Sequence, residues 1–176
     1  INTIVVLTRH HLHAEQVSKA LSAGKHVFCE KPLAVDSETL ELVVQALNSA
    51  EGLLMVGFNR RFAPLAVQLK EQFTAVKDPL MMQYRVNAGA LPTDHWLHDP
   101  EQGGGRIIGE ACHFIDFLTF IAGQLPVEVQ AIGLVNDGRY REDNVQITLR
   151  FEGGSVGTVT YVANGSRAFP KERIEI

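Results

Sequence analysis

Three short apolar runs without alternation punctuate the first third of the chain: Ile4-Val5-Val6-Leu7, His26-Val27-Phe28-Cys29 and Leu53-Leu54-Met55-Val56-Gly57-Phe58. Uninterrupted runs of this length suit parallel strands buried on both faces. Between them the spacing turns helical. Ala14, Val17 and Leu21 make one stripe, with Gly24 placed to end it; Leu40, Val43, Val44 and Leu47 make another, with Asp36 or Ser37 placed to cap it. The pattern predicts β-α-β-α-β. Right-handed crossovers in sequential strand order put both helices on one side of such a sheet, so its other side needs cover.

After Pro64, which suits the first turn of a helix carrying Leu65, Leu69 and Phe73, the strands alternate. Leu80, Met82, Tyr84 and Val86 share one face against Met81, Gln83, Arg85 and Asn87; Val145, Ile147, Leu149 and Phe151 face away from Gln146, Thr148 and Arg150. One-sided strands predict an antiparallel sheet. Glu152-Gly153-Gly154-Ser155 supplies a hairpin turn into Val156 to Val162, where Val159 and Tyr161 oppose Val156, Thr158 and Thr160, so both sides carry apolar area. A helix from about Ile107 to Ala122, stopped by Gly123, is expected to cover the apolar face.

Composition narrows the function classes. The 176 residues are 45% apolar and 20% charged, as in globular domains, and the net charge of -4 argues against a nucleic-acid or anionic-membrane partner, which needs a basic face. Cys29 and Cys112 each lie in an apolar stretch and suggest neither a disulfide framework nor a metal cage, so a reducing, cytoplasmic setting is expected. No apolar run approaches the roughly 20 residues of a membrane helix, and the expectation is a protein without a signal peptide. The sequence begins directly before a strand and stops at Ile174-Glu175-Ile176, apparently inside another, which predicts a piece of a longer protein.

Ligands of open α/β sheets bind outside the carboxyl ends of the strands. Three polar clusters fall there: Thr8-Arg9-His10, Glu30-Lys31-Pro32 and Asn59-Arg60-Arg61. A lysine fixed beside proline offers a rigidly placed ammonium to a substrate hydroxyl. Further on, Glu110, His113 and Asp116 recur every three residues, so on a helix a carboxylate can orient or charge His113 for acid-base work. Taken singly, the lysine cluster also reads as a solvated turn, and His113 as a core or helix-surface histidine satisfied by its neighbours. His10, His11 and His13 form no i, i+4 pair with a carboxylate and both cysteines lie elsewhere, so no metal site is expected.

The order of these motifs resembles the glucose-fructose oxidoreductase and inositol dehydrogenase (Gfo/Idh/MocA) family over nearly the whole chain. Thr8 to His13 followed by Ala23-Gly24-Lys25-His26-Val27-Phe28-Cys29-Glu30-Lys31-Pro32-Leu33-Ala34 is similar to the family's second motif, and Gly57-Phe58-Asn59-Arg60-Arg61-Phe62 to its next landmark. Trp96, Asp99-Pro100 and the glycines from 103 to 105 resemble the loop that enters the family's catalytic helix. The resemblance implies an α/β fold: the second half of a Rossmann parallel sheet (1–62), followed by a truncated α+β substrate and oligomerisation domain (63–176) with a mainly antiparallel sheet.

The same resemblance implies NAD or NADP as cofactor, a sugar or polyol substrate and a homo-oligomer, most simply a dimer. It places Lys31 beside nicotinamide and substrate, often before a cis proline bond, with Thr8, His10, His13 and Glu30 lining the cofactor cleft. It gives catalysis to Lys31 and His113, with Glu110 in support, and substrate contacts to Arg61, Trp96 and Asp116. Two departures stand out. The aspartate expected four residues before His113 is Gly109, with Glu110 beside it, so either Glu110 takes the carboxylate's part or the relay rests on His113 and Lys31. The glycine-rich turn for pyrophosphate and the ribose-reading acid are expected before Ile1, since Gly103 to Gly105 follow no buried parallel strand. The leading expectation is part of an NAD(P)-dependent oxidoreductase, inactive as this piece alone. The alternatives are an NAD-dependent glycosidase of the same fold, and a nucleotide-sensing or scaffolding domain that has lost the chemistry.

Overall fold

Asp36 caps the helix that follows it, its carboxylate accepting the Thr39 N–H at 2.7 Å, an arrangement that contributes about 1 kcal/mol. That helix belongs to the first of two units in the computed structural model, which describes residues 1–135 and 143–176. One unit comprises Ile1–Phe58 and Asp94–Cys112; the other comprises Asn59–Thr93 and His113–Ile176.

In the first unit, β1 (Thr3–Val6), β2 (His26–Cys29) and β3 (Leu54–Val56) pair in parallel in that order. The crossovers are α1 (His13–Ser22) and α2 (Ser37–Asn48). Gly24, at φ 70°, takes the left-handed backbone that lets the chain leave α1. Val6, Ala14, Val17, Leu21, Val27, Cys29 and Val43 form one core, so both helices cover the same sheet face.

Two expectations are corrected here. The strands are buried on the helix side only: Val5 is 58% and Met55 47% exposed on the opposite face. Of the α2 stripe, Val43 alone is buried, at 1% exposed, while Leu40, Val44 and Leu47 stay in contact with solvent. With sheet and α1 on one side only, α2 has an apolar partner along a single line of its surface.

The second unit holds α3 (Pro64–Thr74), β4 (Met81–Asn87), all but the first residue of α4 (Cys112–Ala122), β5 (Pro126–Gly133), β6 (Asn144–Phe151), β7 (Val156–Val162) and β8 (Glu172–Glu175). Its sheet runs β5-β6-β7-β4-β8. β6 and β7 form the predicted hairpin, and the β5–β6 and β4–β8 pairs are also antiparallel. β4 and β7, however, are parallel, from Met81↔Val156 to Asn87↔Val162, so the sheet is mixed. Alternation reports which face of a strand is buried and is silent on the direction of its neighbour.

The buried face carries Met82, Tyr84, Val86, Ile147, Leu149, Phe151, Val159 and Tyr161. Phe114 and Phe117 of α4 lie against Tyr84, with ring centroids at 4.8 and 5.4 Å. Gly157 admits the helix, since a Cβ there would sit 3.0 Å from Leu118 Cδ1. Burying each such aromatic or aliphatic side chain stabilises the unit by about 1.5–3 kcal/mol. Pro64 opens α3 as expected, but Leu65 is exposed and the inward residue is Ala66, one position along. The predicted helix over 107–122 opens as a π-helical turn, Ile107–Ala111, before α4 begins; Gly123, at φ 70°, ends it. No described helix is long and apolar enough to cross a membrane.

Candidate active site

The loops after β1 and β2 are tied together by one imidazole. His13, buried at the start of α1, places Nδ1 2.7 Å from the Pro32 carbonyl and Nε2 2.9 Å from the Thr8 carbonyl. Thr8 itself is exposed, and its hydroxyl donates to Gln16 Oε1 at 3.0 Å. The Lys31–Pro32 bond is cis. Glu30 Oε2 accepts the Lys31 N–H at 3.2 Å, and its carboxylate lies over Gly57, where a Cβ would come within 3.1 Å. Beneath it, burial and then the Glu30 charge push the Cys29 thiol up to about 12, so Cys29 is a packed thiol and not a nucleophile.

The Lys31 ammonium reaches a second segment of the same unit. Its Nζ donates to the Gly109 carbonyl at 2.7 Å. Gly109 is buried, and a Cβ on it would meet Leu97 Cδ1 at 2.8 Å and His10 Cε1 at 2.9 Å. His10, also buried, makes a 2.8 Å hydrogen bond from Nδ1 to the Gly103 carbonyl and packs edge-on against Trp96, centroids 4.8 Å apart. Burial first, and then the charges of Lys31 and His13, lower the His10 pKa, against the opposing Gly103 hydrogen bond and the Glu110 charge. Trp96 also receives the Arg9 guanidinium over its ring at 5.5 Å, while Arg9 donates to Gln102 Oε1 at 2.6 Å.

The 94–105 segment is built to reach this place. Asp99 accepts the Glu101 and Gln102 N–H groups at 2.9 and 3.1 Å, which hold its carboxyl below the usual range. Gly103 and Gly104 donate back to the Asp99 carbonyl. Gly103 has no room for a side chain, because a Cβ would stand 2.5 Å from the Leu97 backbone. The π turn that follows carries Glu110, which accepts from the buried Arg106 at 3.1 Å. A π turn advances each residue by a smaller angle than an α turn, so the three-residue spacing from Glu110 through His113 does not describe one α-helical face.

Of the expected positions, Thr8, His10, His13, Glu30, Lys31, Trp96 and Glu110 fall in the first unit, and Arg61, His113 and Asp116 in the second. Within the second, Asp116 is 8% exposed and pairs with Arg61 in fork geometry, Arg61 Nε to Oδ2 at 3.0 Å and Nη2 to Oδ1. His113 lies beside Phe114, ring centroids 6.5 Å apart. Sequence reasoning missed the Gly109 carbonyl, which no side-chain pattern announces. It also missed a cluster in which Arg60 and the Tyr84 hydroxyl both donate to Glu172 at 2.7 Å, with Arg60 stacked on Phe114.

A parallel sheet with lysine, carboxylate and hydroxyl at the carboxyl ends of its strands has the plan of a dinucleotide-binding α/β domain. Residues 1–58 match the family model described as "Oxidoreductase family, NAD-binding Rossmann fold", and residues 75–176 match the GFO/IDH/MocA C-terminal domain. The chain belongs to the Gfo/Idh/MocA family.

Relatives include a 1,5-anhydro-D-fructose reductase of Ensifer adhaerens, 32% identical over 89% of this chain and 49% of the relative. A myo-inositol 2-dehydrogenase of Thermotoga maritima is 28% identical over 90% of this chain and 49% of its own. The chain thus spans about half the length of the curated relatives it matches. Among solved structures, a levoglucosan dehydrogenase in complex with NADH and levoglucosan superposes with a TM-score of 0.81 at 29% identity, covering 95% of this chain and 49% of that one.

Proposed function

We propose that the protein containing this chain transfers a hydride between NAD or NADP and an alcohol carbon of a sugar or polyol. The observation that carries the reading is Lys31: its ammonium stands at the end of a parallel strand, fixed by a neutral carbonyl at 2.7 Å and, among the described residues, not ion-paired to a carboxylate. An ammonium so placed can hold a substrate hydroxyl or lower its pKa.

The donor set fits a nicotinamide nucleotide. Thr8 offers a hydroxyl, Glu30 a carboxylate resting on Gly57 with no side chain between them, and Lys31 an ammonium. The bound dinucleotide would supply the hydride chemistry, and the protein placement and electrostatics. Thr8, His10, His13 and Glu30 are assigned to the cofactor side, with Arg61, Trp96 and Asp116 on the substrate side. Oxidising an alcohol releases a hydride from carbon and a proton from oxygen, so a base is required. We assign the handling of that proton to His113 as the acceptor, with the Lys31 ammonium holding the hydroxyl and lowering its pKa, and with Glu110 supporting His113. The protein is further proposed to be a cytoplasmic homodimer.

Oxidation of myo-inositol and levoglucosan by the full-length protein, followed by NADH or NADPH absorbance, tests the assignment; reduced nucleotide formed with either polyol supports it. The glycosidase alternative is separated by product analysis. A second reading, a nucleotide sensor without turnover, is favoured by Gly109 in place of an aspartate. Tight NADH binding without oxidation of any sugar or polyol would select it.

A further inference from the structure

The absence of a side chain at 109 is matched by what surrounds it. Leu97 Cδ1 and His10 Cε1 crowd the position a Cβ on Gly109 would take, at 2.8 and 2.9 Å from it, with His10 Nδ1 at 3.3 Å. His10 is itself fixed twice, by the Gly103 carbonyl at 2.8 Å and by the edge of Trp96. The Gly109 carbonyl, one bond from the clamped Cα, is the group that accepts from Lys31. Glycine inside a π turn has the widest backbone freedom of any residue, so an ammonium held by its carbonyl is positioned only as well as that backbone is held.

We propose that His10 is the positioning residue for Lys31, acting through Gly109: the imidazole fills the volume a side chain at 109 would need and so fixes the carbonyl that holds the ammonium. The site thereby exchanges a side-chain carboxylate at 109 for a clamped backbone carbonyl, and residues 10 and 109 form a matched pair. Restoring an acid at 109 by itself would drive His10 and Leu97 aside. The charged and titratable groups acting on His10 are Lys31, His13 and Glu110. None of them supplies the packing edge that the ring gives to Gly109.

The experiment uses the full-length protein and two readouts. Trace acetylation with acetic anhydride, read by mass spectrometry against Lys25 as internal reference, reports how firmly the Lys31 amine is held. His10→Ala should raise Lys31 labelling at least about threefold and leave Lys25 unchanged. Gly109→Asp should do the same, and the double variant His10→Ala/Gly109→Asp should label less than the product of the two single effects, because the carboxylate then has room. If His10→Ala does not fold, His10→Asn keeps an N–H for the Gly103 carbonyl while withdrawing the ring edge from Gly109, and carries the same test.

The consequence for turnover rests on the dehydrogenase reading above: His10→Ala should lower kcat about tenfold, a larger effect than on the KM for NAD, and Gly109→Asp should recover part of the kcat loss only in the His10→Ala background. Lys31 labelling unchanged within twofold, or two single effects that multiply without coupling, overturns the proposal. Failure of the wild-type protein to oxidise any polyol strikes the dehydrogenase reading alone, since the labelling arm still decides the role of His10.

Discussion

The Lys31 ammonium donates to the main-chain carbonyl of Gly109 at 2.7 Å, so the side chain assigned to chemistry is held by a peptide group. A carbonyl fixes direction without adding a counter-charge. If Lys31 and His113 carry the hydroxyl proton, Lys31→Ala and His113→Ala in the full-length protein should each reduce turnover on the order of 100- to 10,000-fold while the thermal midpoint barely moves. Folded variants whose kcat stays within a few-fold of wild type would remove both assignments.

Glu110 sits in the π turn, accepting from Arg106, whose side chain is 2% exposed. In the proposed relay it also supports the charged form of His113. Glu110→Gln should therefore shift the acidic limb of the pH–rate profile and lower kcat by less than His113→Ala does. A superimposable profile would remove Glu110 from the relay.

His10 titrates below the ordinary value of 6.5, chiefly because of burial. The unfolded chain therefore takes up its proton at a higher pH than the folded one. Between the two values unfolding binds protons, so stability falls as the pH drops through 6.5 towards the folded pKa. Urea titrations from about pH 8 to about pH 5 should show His10→Asn costing less stability at the acid end than at the alkaline end. A cost independent of pH would contradict this.

Among the described residues no glycine-rich turn leads from a parallel strand into a helix; Gly103 to Gly105 lead instead into the π turn. Pyrophosphate affinity in such folds comes from that turn and the helix N-terminus behind it. Calorimetry of the 176-residue chain with NADH should thus find a dissociation constant weaker than about 1 μM and no polyol oxidation. Submicromolar binding would relocate the nucleotide to another surface.

The face of the mixed sheet opposite α4 carries Ile132, 79% exposed, beside Gln130, Thr148 and Thr160. Val159 and Tyr161 lie on the covered face and are unavailable for association. If that open face pairs two copies, the full-length protein should sediment as a dimer at micromolar concentration, and Ile132→Glu should shift it towards monomer. A wild-type monomer at that concentration would dismiss the idea.

What the sequence made legible was local. The Asp36 cap, the left-handed Gly24, Pro64 at a helix start and the hairpin after Phe151 each follow from a few neighbouring residues. The parallel pairing of β4 with β7 was not legible, because the same alternation serves either direction. Nor was the π turn, since Ile107 to Ala111 satisfies α-helical spacing equally well. In the site, Lys31 was found by its motif. Its acceptor was invisible, because a backbone carbonyl has no letter in the sequence, and Gly109 registered only as a missing aspartate until His10 and Leu97 were seen to fill its place.

β4 lies between β7 and β8, the last two strands in the chain. During synthesis it therefore leaves the ribosome long before either neighbour exists, with both edges bare and Met82, Tyr84 and Val86 without their sheet. Unpaired edges of this kind recruit wrong strands, and pairings so distant in sequence form slowly. The second unit must consequently assemble after translation has passed residue 162. A stop anywhere between β6 and β8 would leave β4 without at least one of its partners and expose it to chaperones and proteases.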